Sequence, residues 1–374
     1  MDFEFSEEQK MFRNSVRDFL KKECPISLVR EIEDQKSDYS PQLYQKMAAL
    51  GWSGVMLPEK YDGSEGDLVD MAILYEEAGR ALLQSPHFST VVLAGQIILS
   101  LGTKAQKEEL LPKIVSGDIV LSLALTEPDI GSNLDLLTTS ADAQDNNFVI
   151  NGSKLFVSNA HNADFIITAA KTGHNADSGV SLFLIDRENP GVSCTPMETM
   201  GGNILDEVAY NQALVPRDNL LGEPSKGERI AHIIERAKIM SCAEMIGSAE
   251  VALEMSIDYS QIRDQFGQPI GSFQALQHKM ARMSLAIEGA KWLAYYTAWL
   301  ASQEMPCAKE IAMTQLAVGE ACRFVTAEAE QVHGGIGIIR EHDLTLYFKR
   351  VKAAQLNLGY PHTFQETIVQ SLGL

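Results

Sequence analysis

The feature that most constrains the fold is a change of residue pattern at two places in the chain. Up to about residue 118, apolar residues recur at helical spacing behind capping residues, as in the Ser6 and Gln9 pair. From 119 to about 222, short β-type runs are separated by turn dipeptides such as Asn151-Gly152. After Pro224 the helical spacing returns in long segments. The pattern predicts an α+β multidomain fold, with an N-terminal helical domain (1–118), a middle β-domain (119–222) and a C-terminal helical domain (223–374).

Within these regions, caps and breakers mark the individual elements. One helix runs from the Ser6 cap to Pro25, and a second runs from the Ser40-Pro41 cap to Gly51. The other predicted helices are 67–80, 90–101, 103–114, 228–260, 272–303 and 307–332. The predicted strands are 119–125, 148–150, 155–157, 165–169 and 180–185.

The charge balance limits the classes of partner. The chain has 374 residues with 31 Lys+Arg and 50 Asp+Glu, a formal net charge of −19, which repels nucleic acid and acidic membranes. The hydrophobic share of 45% can fill a large core, and no run of roughly 18 apolar residues occurs, so a cytoplasmic protein is expected. The five cysteines have no CxxC spacing, which predicts reduced, mostly buried thiols rather than a disulfide framework or a metal site.

Two blocks in the middle region have the composition of a binding surface for a flat heterocycle. In TEPDIGS, Thr126 and Ser132 supply hydroxyl donors, and Gly131 lets the backbone approach a ligand. In the second block, Phe156 and Ser158 fall on one face of a strand because they are two residues apart. Taken alone, the first block is also compatible with an ordinary capped strand exit, and the second with a core and edge pair.

Two further blocks lie in the C-terminal region. Arg263 opens a loop between long helices, and its planar fork suits a pyrophosphate, although a surface arginine is an equally good interpretation. The glycine-rich segment 334–337 follows a helix, where a simple C-terminal cap is the commoner explanation.

Together, the segments TEPDIGS, RDQFGQPIGSFQALQ and EQVHGGIG, in this order, resemble the acyl-CoA dehydrogenase family over nearly the whole chain. The resemblance implies FAD bound between a β-barrel-like middle domain and a C-terminal four-helix bundle, in a site completed by a neighbouring subunit. By the same resemblance, the residues facing the flavin or the thioester region are Leu123, Leu125, Thr126, Gly131, Ser132, Phe156 and Ser158. The residues matched to the segment that reaches the partner's FAD are Arg263, Gln265, Phe266, Ile270, Phe273 and Gln274, and those on its adenosine side are Gln331, Gly334 and Gly335.

The sequence departs from the family at the proton-abstracting glutamate. The resemblance places Leu358 at its usual position and Ala237 at its alternative position, and neither side chain can accept a proton. Glu244 shares a helix face with Ala237 and Ser241, about 10 Å further along the axis, so it is the candidate catalytic base. The alternative is a buried structural carboxylate satisfied by a neighbour in the bundle, for example a His or an Arg. Glu235 points to the opposite face of the helix and is expected to be a solvated charge. The candidate substrate-binding residues are Ser132, Ala237, Lys238 and Ser241.

The resulting functional prediction is an FAD-dependent acyl-CoA dehydrogenase, or a subunit of one. It would convert an acyl-CoA to a trans-2-enoyl-CoA and pass electrons to an electron-transfer flavoprotein. The local pattern around 241–247 most resembles small subunits of heteromeric enzymes of the pimeloyl-CoA or steroid side-chain type, which implies a homologous partner subunit. Two alternatives remain open: a catalytically silent partner subunit, and a flavin oxidase or monooxygenase that uses oxygen.

Overall fold

The computed structural model describes residues 4–129, 133–172, 179–223 and 227–373. The predicted site residues Gly131 and Ser132 lie outside these ranges. The N-terminal region is helical, as predicted, and its α-helices are α1 (Glu7–Glu23), α2 (Ile26–Asp34), α3 (Pro41–Ala49), α4 (Leu68–Arg80), α5 (Gln96–Leu101) and α6 (Lys104–Ser116).

Local capping explains where several of these helices begin. The Ser6 side chain accepts a hydrogen bond from the Gln9 backbone amide, and the Gln9 side chain accepts one from the Ser6 amide, which completes a capping box. Thr103 caps α6 in the same way. The predicted helix 90–101 is correct in position but not in type, because its first part is a π-helix, Phe88–Gly95. Thr90 in this segment exchanges hydrogen bonds with the backbone of Leu121, which ties the π-helix to the β-domain.

Within the described ranges, the middle domain is a mixed eight-stranded sheet in the order β6-β7-β3-β2-β4-β5-β8, with β1 beside β4. Its strands are β1 (Leu121–Ala124), β2 (Ser140–Gln144), β3 (Asn147–Ser158), β4 (Phe165–Thr172), β5 (Gly179–Asp186), β6 (Val192–Glu198), β7 (Ile204–Pro216) and β8 (Leu220–Leu221). The prediction missed β2, β6, β7 and β8.

The predicted turn at Asn151-Gly152 is wrong. The dipeptide lies inside β3, where the register against β7 shifts between Ile150 and Gly152. Gly152 has a φ of 145°, and a Cβ atom there would lie 2.6 Å from the Thr139 hydroxyl, so glycine allows a close strand approach. The turn chemistry of the pair is overridden by pairing on both sides of a long strand.

The C-terminal region contains α7 (Gly227–Ile262), α8 (Gln274–Ser302), α9 (Ala308–His333), α10 (Leu344–Leu358) and α11 (Pro361–Ser371). The first three match the predicted long helices closely. Helix α7 crosses α4 at very close range: a Cβ atom on Gly79 would lie 1.9 Å from the Glu244 carbonyl, and one on Gly247 would lie 1.9 Å from the Glu76 carbonyl. This glycine crossing fixes how the N-terminal domain sits on the bundle.

The largest buried apolar cluster joins α1, α4 and the π-helix to α7, α8 and β1, so the three regions share one core. In the described part of the chain, no helix is long and apolar enough to cross a membrane. The cysteines are free thiols, and Cys24, Cys242, Cys307 and Cys322 are buried, as predicted.

Candidate active site

The predicted flavin-facing residues of the β-domain lie together where β1 ends beside β3. The Leu155 amide donates to the Thr126 carbonyl at 2.8 Å, and the Ser122 hydroxyl donates to the Ser158 carbonyl at 2.8 Å. Phe156 and Ser158 share the outward face of β3, and the Phe156 side chain is 59% exposed. Leu123, Leu125, Thr126, Phe156 and Ser158 form what we call the β-domain cluster.

A buried ion pair holds this cluster in place. Lys154 Nζ donates to Glu127 Oε1 at 2.8 Å and to the Leu125 carbonyl at 3.2 Å, and both charged side chains are almost fully buried. The Glu127 carboxylate also accepts hydrogen bonds from Thr138 and Thr139. Burial alone would raise the pKa of Glu127, but these donors hold it at about 2. Sequence analysis missed this pair, because no local pattern links Lys154 to Glu127, although Glu127 lies inside the TEPDIGS motif.

The predicted residues of the C-terminal region form a second group at the far end of the bundle. A short hairpin follows α7, with β9 (Asp264–Gln265) paired to β10 (Gln268–Pro269). Tyr259, near the end of α7, stacks on His333 at the end of α9 with ring centroids 4.5 Å apart. The stacking brings the two segments together. The members of this hairpin cluster are Arg263, Gln265, Phe266, Ile270, Phe273, Gln274, Gln331, Gly334 and Gly335.

The hairpin cluster is distant from the other candidate residues of the same chain. Arg263 follows the end of α7, and at 1.5 Å per residue it lies roughly 30 Å along the helix axis from Glu244. Arg263 and Phe266 are exposed. The Phe266 side chain is 93% exposed, and its ring makes an edge contact with the ring of Phe273. An aromatic ring and an arginine this open are available to a second molecule.

Along α7, the structure separates the predicted substrate residues. Ala237 is buried in the shared core at 3% exposure, whereas Ser241 and Glu244 retain some accessible surface. Lys238 donates to Glu235 at 2.7 Å, and the Gln315 amide on α9 reaches the same carboxylate. Lys238 is therefore engaged on the side of α7 that faces α9. Glu235 is half-exposed and paired, close to the solvated charge that was predicted.

Glu244 lies among α4, α7 and α10 without a direct polar partner. In the part of the chain that the structure describes, no hydrogen bond or ion pair reaches its carboxylate. Burial raises its pKa to about 7, and the more distant charge of Arg350 opposes that rise. A carboxyl group with this pKa is half ionised near neutral pH, which suits a general base. The predicted alternative is a structural carboxylate satisfied by a neighbour in the bundle, and the described residues show no hydrogen bond or ion pair to Glu244 that would fill this role.

Glu244 and the β-domain cluster are linked by a chain of buried side chains. Tyr75 on α4, which lies within the field of Glu244, bonds to His87 at 3.0 Å. His87 Nε2 lies 3.2 Å from the Trp52 carbonyl, an acceptor, so the ring donates there and accepts from Tyr75. Two residues on, the Ser89 hydroxyl donates to Asn159, which follows Ser158. The hydrogen bonds of His87 and Ser89 therefore connect α4 and the π-helix to the β-domain close to Ser158.

Comparison with known proteins identifies the family. Models of the acyl-CoA dehydrogenase N-terminal, middle and C-terminal domains match residues 6–118, 122–212 and 227–371. The chain belongs to the acyl-CoA dehydrogenase family. A probable acyl-CoA dehydrogenase, YngJ of Bacillus subtilis, is 35% identical over 96% of both chains. CarC, a subunit of the caffeyl-CoA reductase-Etf complex of Acetobacterium woodii, is 33% identical over 97% of this chain and 98% of its own.

Solved structures agree with this assignment. Butyryl-CoA dehydrogenase from Megasphaera elsdenii superposes with a TM-score of 0.93 and 29% identity over 100% of both chains. The FAD complex of PigA gives a TM-score of 0.93 with 26% identity, again over 100% of both chains. The predicted fold and family are confirmed, and the protein is a flavoprotein oxidoreductase of the acyl-CoA dehydrogenase type with FAD as its cofactor. These relatives give no support to the heteromeric small-subunit subtype or to a silent subunit.

The residues of both clusters fit FAD chemically. The β-domain cluster offers an uncovered aromatic ring beside a serine hydroxyl, a surface suited to a flat, hydrogen-bonding ring system. The hairpin cluster offers an exposed arginine and several amides, which suit a pyrophosphate and an adenosine.

Proposed function

We propose that the chain oxidises an acyl-CoA to a trans-2-enoyl-CoA, with Glu244 as the base that removes the α-proton. The observation that carries the proposal is the carboxylate of Glu244, which has no hydrogen-bond or ion-pair partner among the described residues and whose pKa is raised by burial to about 7. The two family positions for the base hold Ala237 and Leu358, each 3% exposed and unable to accept a proton.

The chain's own residues divide the work. Glu244 takes the proton from the α-carbon as the hydride leaves the β-carbon, and the electron pair of the broken Cα–H bond becomes the new double bond. FAD, when bound, supplies the hydride acceptor. The Thr126 and Ser158 region holds the ring system, and the buried Glu127 and Lys154 pair keeps that region rigid.

An electron-transfer flavoprotein is the proposed electron acceptor. The support is CarC, which by its name belongs to an Etf complex and which aligns with nearly the whole chain. The proposed assembly contains at least two copies of this chain, or this chain with a homologous one, because the hairpin cluster lies so far from Glu244.

The test is an anaerobic titration of the purified flavoprotein with a panel of straight-chain, branched, dicarboxylic and aromatic acyl-CoAs. We expect one class to bleach the flavin spectrum and to yield a 2-enoyl-CoA detectable by mass. Failure of every class to bleach a fully flavin-loaded protein would contradict the proposal. Rapid reoxidation of the reduced protein by air, without added acceptor, would favour the flavin oxidase alternative instead.

The shared site has its own test. Dilution to the monomer should release flavin, because a single copy lacks half of the contacts. A monomer that keeps a full complement of FAD in native mass measurements contradicts a shared site, while leaving the dehydrogenase chemistry intact.

A further inference from the structure

A histidine lies between two buried carboxylates where the N-terminal domain meets the β-domain. His161 belongs to a single 3-10 turn after β3, and its Nδ1 atom lies 2.9 Å from both carboxylate oxygens of Asp206 on β7. Its Nε2 atom lies 3.2 Å from Oδ2 of Asp38, in the segment between α2 and α3. The Asp38 and Asp206 side chains are 1% and 0% exposed, whereas the His161 side chain is 25% exposed and can exchange a proton with solvent. We call His161, Asp38 and Asp206 the interdomain cluster.

The protonation state of His161 decides how the interdomain cluster is bonded. With both ring nitrogens protonated, Nδ1–H donates to Asp206 and Nε2–H donates to Asp38. With a single proton on Nδ1, the ring still donates to Asp206, and Nε2 can accept from the Asn162 amide at 3.0 Å. Asp38 then keeps the amide donors of Asn162 and Asn159, at 3.0 and 3.4 Å, while its buried Oδ1 atom has no hydrogen-bond partner in the described ranges. A buried carboxylate without a cation is costly, so loss of this proton weakens the contact.

The charges within the cluster favour the protonated ring. The hydrogen bond to Asp206 and the charge of Asp38 raise the pKa of His161, while burial and the charge of Arg187 oppose that rise. Burial raises the pKa of Asp38, and the charge of His161 opposes that rise. Within 4.0 Å, His161 is the cationic partner that the described residues offer to Asp38.

The other titratable and charged side chains that border the cluster are Tyr39, Asp164, Arg187, Glu188 and Cys194. Burial raises the pKa of the Cys194 thiol on β6 to about 11, and burial raises the pKa of Tyr39, so both are neutral near pH 7. Arg187 pairs with Glu188 and donates to the backbone carbonyl of His161. Asp164 accepts a hydrogen bond from a backbone amide just before β1, at 2.8 Å. The ring of His161 is therefore the group of this region whose charge changes near neutral pH.

The interdomain cluster lies beside the end of β3 that is proposed to face the flavin. Asn159 follows Ser158 directly and has a left-handed conformation with a φ of 59°. Its side chain is held by two residues of the N-terminal domain, because Nδ2 donates to Asp38 and Oδ1 accepts from the Ser89 hydroxyl at 3.2 Å. Asp206 lies on the neighbouring strand, in register with the residue before Ser158. The cluster therefore contacts both the chain that follows Ser158 and the strand beside it.

We propose that the interdomain cluster is a protonation-dependent contact between the two domains that positions Ser158 and ties FAD affinity to the charge of His161. The inference rests on the proposed flavin-facing position of Ser158 and is independent of Glu244. Below about pH 6.5, the ordinary value for histidine, the ring is charged and the contact contributes fully. Because the pKa of His161 is raised in the folded protein, this contribution is lost as the pH rises through that higher value. FAD should therefore be held less tightly at about pH 9 than at about pH 6.

The test is a double-mutant cycle of His161→Gln and Asp38→Asn, measured on the holoenzyme at about pH 6 and about pH 9. The readouts are the urea midpoint at a fixed excess of FAD, and the FAD dissociation constant from the fluorescence of flavin released on dilution. At the lower pH the two changes should be coupled in both readouts, because either change removes the same ion pair. At the higher pH the coupling should fall to near zero, because the ring is neutral. Groups that titrate elsewhere, Glu244 included, cancel in the cycle.

The FAD dissociation constant of the parent should rise by about three- to tenfold over this pH range. That rise corresponds to a difference of about half a unit to one unit between the pKa values of His161 in the flavin-loaded and flavin-free protein. The matched control is the exposed pair of Lys36 and Glu198, which joins the same two domains with its atoms 2.6 Å apart. Exposed lysine and glutamate side chains are ionised at both pH values, so the cycle of Lys36→Gln and Glu198→Gln should give the same small coupling at both.

Equal coupling of His161 and Asp38 at the two pH values would overturn the proposal, because it would show hydrogen bonds without a change of charge. A coupling that disappears at the higher pH while FAD affinity stays constant would overturn the positioning of Ser158. If His161→Gln does not fold, Asp38→Asn alone decides: it should keep the FAD dissociation constant level across the pH range, and a rise equal to that of the parent would overturn the proposal. Glu244→Gln tests the proposed function separately, because flavin reduction at the parental rate would remove the proposed base and leave this inference standing.

Discussion

Replacing Glu244 with glutamine separates its two interpretations, a general base and a structural charge. Burial raises the pKa of Glu244 from 4.5 to about 7 in the folded protein. Between these values the folded state binds more protons than the unfolded state, so this group's contribution to stability falls as the pH rises. The difference of about 2.5 in pKa, at about 1.4 kcal/mol per unit, amounts to about 3 kcal/mol. Glutamine does not titrate, and the variant should gain that much relative to the parent between about pH 4 and pH 8.

Two measurements on Glu244→Gln decide between the interpretations. Urea unfolding midpoints should be measured at several pH values. As the pH rises, the midpoint of the variant should increase relative to that of the parent and then exceed it. Anaerobic stopped-flow reduction should slow by on the order of 10² or more, because the proton acceptor is lost while substrate still binds. Glu235→Gln is the control on the same helix, where the carboxylate is half-exposed and paired with Lys238. It should change neither quantity appreciably.

The structural interpretation makes the opposite forecast. A carboxylate that stabilises the bundle as an ion leaves its partner unpaired when replaced, at a cost of roughly 3 to 5 kcal/mol. A variant destabilised by that amount at pH 8, with flavin reduction intact, would refute the role of Glu244 as the base. Reduction at the parental rate with unchanged stability would point to a base from another chain.

Three further substitutions test the framework of the site. Gly79→Ala should destabilise the protein by about 1 to 3 kcal/mol or more in thermal melts, because the added Cβ atom would lie 1.9 Å from a carbonyl oxygen of α7. Gly289→Ala is the control, because no atom lies within 4 Å of the added Cβ atom, and it should be neutral or stabilising. Lys154→Met should cost roughly 3 to 5 kcal/mol and lower the flavin content, and adding Glu127→Gln should recover much of the loss. Arg263→Ala should weaken FAD retention without changing the melting temperature of the apoprotein, since the side chain is exposed; unchanged FAD content at low free FAD would contradict its pyrophosphate role.

The elements whose signals are local could be predicted from sequence. The capping box at Ser6 and the one at Thr103 are each contained within four residues, and the helices begin where those residues indicate. The turn signal at Asn151-Gly152 is equally local, but pairing along β3 overrides it. A dipeptide determines a turn only when the flanking strands pair with each other, and here both flanks pair with β7.

The candidate site likewise combines a feature that local sequence predicts with one that depends on residues far away in the chain. The two-residue period of a strand predicts a shared face for Phe156 and Ser158, and both are exposed, although β3 is irregular between Lys154 and Val157, where Phe156 has a φ of 58°. The electrostatic setting of Glu244 depends on burial and on the charge of Arg350, which lies on another helix far away in sequence. No spacing within α7 encodes those contacts, so sequence analysis could propose the residue but not its environment.

Family membership alone does not determine which group removes the proton, and the surroundings of the three helix positions support the proposal of Glu244. A glutamate at Ala237 or Leu358 would sit where the chain now packs apolar side chains at 3% exposure. Glu244 instead retains accessible surface and has no hydrogen-bond or ion-pair partner in the described ranges. The more distant positive charge of Arg350 opposes the rise of its pKa. A purely structural carboxylate in a protein interior is expected to collect hydrogen bonds, as Glu127 does from Lys154 and two threonines. The contrast between these two glutamates favours a chemical role for Glu244 and a structural role for Glu127.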